Sequence, residues 1–77
     1  MQRRYRMDET GTVKVIDSLK GFGFIRPTKG REVFFHVSNC SVGILQLRVG
    51  DAVRFQIVGE GKGRRAVNVN PIDANRA

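Results

Sequence analysis

The stretch Lys20-Gly-Phe-Gly-Phe-Ile-Arg-Pro27, the turn Thr28-Lys-Gly30 and the stretch Arg31-Glu-Val-Phe-Phe-His-Val37 decide the fold. Both longer stretches alternate, and a repeat of two is that of a strand, whose successive side chains point to opposite faces. Pro27 has no N–H to give a ladder and ends the first run, and the two runs lie close enough in sequence to pair as a hairpin. Period two then sorts the faces. Phe22 and Phe24 share one side, with Gly23 opposite and Ile25 returning to the core, while Val33 and Phe35 point one way and Phe34 and His36 the other. The outward set is Phe22, Phe24, Phe34 and His36. Leaving a phenylalanine in water forfeits about 1.5–3 kcal/mol of burial, so a patch of three asks for a ligand.

Outward from this hairpin, period-two runs recur at about Thr12 to Asp17, Ala52 to Val58 and Arg64 to Asn70, besides Gly21 to Arg26 and Arg31 to Val37. Val53, Phe55 and Ile57 of the fourth run and Val67 and Val69 of the fifth are expected inside. The Gly-rich turn Gly59-Glu-Gly-Lys-Gly63 joins these two runs. The segment from Ser38 to Gly50 carries no helical stripe and is expected to be a loop with one helical turn. Five short strands and one long connection predict an all-β barrel, whose closure protects strand edges that no helix covers. The domain is expected over 11–70, with a flexible basic arm at 1–10 and a tail at 71–77.

Within 77 residues, 14 Lys and Arg stand against 7 Asp and Glu, a net charge of +7 that points to an anionic partner. One Cys cannot close an internal disulfide, and Cys40 with His36 falls short of the four ligands of a structural zinc site. A reducing, cytoplasmic location is expected. The basic start Met1-Gln-Arg-Arg-Tyr-Arg6 is followed by no apolar run, so neither a secretory signal nor a bilayer span is expected. Gly61-Lys-Gly-Arg64 lacks the spacing of a phosphate-binding loop, and no nucleophile, base and orienting acid can be assembled around His36. No enzymatic activity and no cofactor are expected.

A single nucleic-acid strand leaves base faces free to stack on aromatic rings, and its phosphates attract cations. Lys14, Lys20, Arg26, Lys29, Arg31, Lys62, Arg64 and Arg65 all fall on or beside the strands that carry the rings. Gly21 and Gly23 allow a base or a neighbouring strand to approach closely. These features resemble the cold-shock domain family: Lys20 to Ile25 and Val33 to Val37 look like its two ribonucleoprotein motifs. Gly11-Thr-Val-Lys14 and Gly63-Arg-Arg-Ala-Val-Asn-Val69 resemble its first and last strands. The resemblance implies a five-stranded antiparallel OB-fold barrel with Phe22, Phe24, Phe34 and His36 stacking on bases and Lys14 and Lys20 contacting the strand. Arg26, Lys62 and Arg64 complete the expected binding set.

The chain also departs from that pattern. Val15 and Ile16 stand where the family usually has Trp and Phe, Val37 replaces the aromatic after the motif His, and Ile44 and Leu45 stand near the place of a further ring. Arg64 occupies a position that is often Pro. These changes predict a shift from stacking toward charge. The expected protein is a monomeric, non-enzymatic binder of single-stranded RNA or DNA, acting as an RNA chaperone or a cold-shock-type regulator of transcription or translation. One alternative is an OB-fold protein-interaction adaptor that uses the same aromatic face. An RNA-recognition motif is a poorer match, since that fold places its second motif well upstream and needs two helices.

Overall fold

Alternation, turn glycines and one proline produce the strands largely where the sequence puts them. The computed structural model describes residues 8–72. Its strands are β1 (Glu9–Asp17), β2 (Phe22–Pro27), β3 (Val33–His36), β4 (Ala52–Val58) and β5 (Arg65–Pro71). Single 3-10 turns lie at Val37–Asn39, Ile44–Gln46 and Gly61–Gly63, so the long connection holds two short turns where one was expected. The barrel takes in Glu9 and Thr10 at its start and Pro71 at its end, beyond the expected 11–70. Glu9 pairs with Phe55, and the Ile72 N–H donates to the Ala52 carbonyl at 2.9 Å. Residues 1–7 and 73–77, which hold the rest of the expected arm and tail, lie outside the described residues.

The strands close in the order β1-β2-β3-β5-β4. A ring with an odd number of strands cannot be antiparallel at every junction, since direction must alternate around it. The exception to the expected antiparallel barrel is β3 with β5, a parallel pair limited to Phe34 opposite Arg65 and Phe35 opposite Ala66. The other four pairings are antiparallel.

The inward residues form one core of Val13, Ile25, Val33, Phe35, Leu47, Val53, Phe55, Ala66 and Val69. Gly23 makes room for it. A Cβ at Gly23 would collide with the Val15 carbonyl oxygen and lie 2.8 Å from two carbons of the Phe35 ring.

Two irregularities break the alternation. Between Val13 and Val15 the β1–β2 register shifts by one, which leaves Lys14 as an extra residue and puts both Lys14 and Val15 on the surface. In β5 the register against β4 shifts between Arg54 and Gln56, and Asn68 adopts φ 53°. Ala66 and Val69, three residues apart, are therefore the buried pair, and Val67, expected inside, is only half-buried.

Candidate nucleic-acid interface

The hairpin of β2 and β3 sets Phe22 opposite His36 and Phe24 opposite Phe34. The three phenylalanine rings touch one another in a triangle. Phe22 and Phe34 have centroids 5.7 Å apart and tilted by 35°, while Phe24 meets Phe34 at 5.9 Å and Phe22 at 6.2 Å, both edge to face. Each ring is half-buried because its neighbours cover part of it, so the patch is less exposed than alternation alone suggests. Such edge-to-face and offset pairs hold rings at fixed angles and leave other faces open.

His36 is exposed, and its ring is oriented locally. Nδ1 accepts the Ser38 N–H at 3.1 Å and lies 3.0 Å from Ser38 Oγ. An Nδ1 that accepts a backbone N–H carries no proton, so the neutral ring bears its proton on Nε2. Ser38 is a contributor outside the expected set, and the sequence gives little sign of it because the donor to the ring is a backbone N–H.

The cations divide into groups. Lys14 projects from the β1 bulge, and Lys20 sits in the turn from β1 to β2, both exposed. That turn is held by Asp17, whose carboxylate accepts the Lys20 N–H at 3.0 Å and whose carbonyl accepts the Gly21 N–H at 2.8 Å. Gly21 has φ 78°, and its carbonyl accepts the Val37 N–H at 2.8 Å, tying the turn to the end of β3. Val15, opposite Phe24 and 45% exposed, and half-buried Val37 occupy the positions where rings are absent.

A second group lies at the other end of β2. Arg26 is 3.6 Å from Glu32, and the Arg64 guanidinium donates from Nη1 to the Glu32 carbonyl at 3.1 Å and from Nη2 to the Arg31 carbonyl at 3.3 Å. Arg64 precedes β5 instead of opening it, and its fork grips the backbone of the β2–β3 turn. Phe24, Phe34 and Val33 floor an open groove of about 580 Å3 there, with Arg26, Arg31, Glu32, Gly61 and Arg64 around it. Lys62, in the neighbouring 3-10 turn, is exposed and does not line the groove. Burial pushes the half-buried Cys40 thiol above its ordinary pKa, and its Sγ lies 3.9 Å from the His36 carbonyl, away from nucleophilic chemistry.

Comparison with known proteins agrees with this geometry. The family model described as "'Cold-shock' DNA-binding domain" matches residues 9–72, the full run of the barrel. Cold shock protein ScoF of Streptomyces coelicolor is 45% identical, over 80% of this chain and 96% of its own. Cold shock-like protein CspD of Escherichia coli K12 is 38% identical, over 90% of this chain and 96% of its own. Among solved structures, one described as drosophila Unr CSD456 superposes with a TM-score of 0.75 at 23% identity, covering 94% of this chain and 29% of that one. At that identity the likeness speaks for the fold.

Proposed function

Since this chain belongs to the cold-shock DNA-binding domain family, we propose that it captures unpaired segments of RNA or DNA on the β2–β3 face and acts as an RNA chaperone or regulator. At the coarser level it is a nucleic-acid-binding protein of the cold-shock type and not an enzyme. In the proposed mechanism Phe22, Phe24, Phe34 and His36 stack on bases, while Lys14, Lys20, Arg26, Lys62 and Arg64 supply positive charge along the backbone. Occupancy of the face stabilises the unpaired strand relative to weak hairpins by mass action, with no nucleotide cofactor. A monomer working in the cytoplasm fits this reading. The observation that supports it most is the triangle of phenylalanine rings beside an oriented histidine, bordered by cations on both sides.

The test is a titration of fluorescent single-stranded RNA and DNA oligonucleotides and of the matching duplexes. Single strands should bind more tightly than duplexes, and His36→Ala should weaken them. Equal affinity for duplex and single strand would remove the stacking role. Failure to bind any of them would favour a protein partner for the aromatic face.

A further inference from the structure

We infer that the groove between the β2–β3 turn and the β4–β5 turn is a phosphate-holding extension of the binding face. It would seat a phosphodiester of the strand where that strand leaves the Phe24–Phe34 stack, with Arg31 as its contact and Arg64 as its positioning residue. The inference rests on the proposed single-strand function. Its floor is continuous with the platform, because Phe24 and Phe34 belong to both. A nucleotide has that same composition, an apolar face joined to an anion. Three arginines surround the floor against a single carboxylate, Glu32, which already lies 3.6 Å from Arg26. Arg31 is exposed and has no side-chain hydrogen bond or ion pair among the described residues.

Arg64 does different work. A guanidinium carries five N–H donors in a rigid fork, and the bonds to the Arg31 and Glu32 carbonyls use two of them. The fork thereby fixes the backbone that carries Arg31 and Glu32, and it brings a positive charge under the turn. A proline at this position would supply neither bond. Lysine would keep the charge but could not match the fork across two successive carbonyls.

The test measures affinity for a short single-stranded oligothymidylate at several salt concentrations. The variants are Arg31→Gln, Arg64→Lys, Arg54→Gln and Phe34→Ala, each with a thermal melt to show that it is folded. Neutralising one phosphate on a single strand contributes about 0.7 to the slope of log K against log salt, so Arg31→Gln should flatten the slope by about 0.7. Its deficit against the wild type should then narrow about 2.6-fold between 50 and 200 mM salt. Arg54 pairs with Asp8 at 3.9 Å and does not line the groove, so Arg54→Gln should leave the slope unchanged. Arg64→Lys should lose affinity and part of the slope although its charge is kept.

Phe34→Ala separates the two readings. If it binds as well as the wild type, the stacking function fails, and the groove falls with it. If it binds poorly while Arg31→Gln keeps the wild-type slope, the platform stands and the groove proposal is overturned. Equal flattening by Arg31→Gln and Arg54→Gln would also overturn it, because the effect would then be one of net charge.

Discussion

Phe34 lies 5.7 Å from Phe22 and 5.9 Å from Phe24, so truncating it acts on both stability and binding. Each ring pair is worth about 0.5–1.5 kcal/mol, and a stacked base about 1–3 kcal/mol. Phe34→Ala should therefore lower unfolding free energy by roughly 1–3 kcal/mol and single-strand affinity by a comparable amount. His36 forms no aromatic pair, and His36→Ala should cost affinity while urea unfolding barely changes. A Phe34→Ala variant that loses stability but binds a single strand as tightly as the wild type would mean that the rings are packing residues and not a platform. Gly23 is a second residue whose size matters. Its added methyl would strike the Val15 carbonyl and crowd Phe35, so Gly23→Ala should cost at least about 1–3 kcal/mol in urea. Gly43→Ala is the control, since nothing lies within 4 Å of a Cβ there. A stable Gly23→Ala variant would show that β2 can shift away from β1.

At the scale of elements, the β2–β3 hairpin was legible because its small and aromatic residues alternate without interruption and Pro27 marks its end. The bounds Ala52–Val58 of β4 are legible because Val53, Phe55 and Ile57 alternate with Arg54 and Gln56. β5 was read out of phase before Asn68, since a bulge inserts one residue and moves the pattern by one position, and a sequence carries little sign of it beyond an Asn that tolerates positive φ. Leu47 is buried from within an irregular loop, where a single apolar residue has no period to reveal it. The rings of the site were legible from their faces. The grip of Arg64 was not, because its acceptors are backbone carbonyls more than thirty residues away. The bulge itself can be tested. Asn68 donates to Gln56 Oε1 at 2.7 Å and holds φ 53°, so Asn68→Gly should lose the bond but keep the backbone, whereas Asn68→Val should lose both. A β-branched residue in the left-handed region costs about 1–2 kcal/mol, and Asn68→Val should melt below Asn68→Gly by a corresponding margin. Equal melting temperatures would mean that β5 re-registers without the bulge.

For the whole molecule, the charge balance decides how binding responds to salt. The ion pairs among the described residues, Arg26 with Glu32 at 3.6 Å and Arg54 with Asp8 at 3.9 Å, are both exposed, and such pairs contribute about 0–1 kcal/mol. Each pair cancels one cation against one anion, so neither draws on the +7 excess. Val15, Ile16 and Val37 at the same time offer less stacking surface than rings would. Five phosphate contacts on a single strand would give a slope of log K against log salt of roughly −3.5, which is on the order of a 100-fold loss of affinity between 50 and 200 mM. Arg3, Arg4 and Arg6 lie outside the described residues, and their contribution can be read from the same slope. If the arm contacts the strand, deleting Met1 to Arg6 removes three cations and should flatten the slope by about 2. Truncating Phe24 should instead lower affinity at every salt concentration and leave the slope alone, because a ring releases no counterions. A slope near zero, with affinity kept at high salt, would mean that stacking dominates despite the missing rings and that the cations face away from the bound strand.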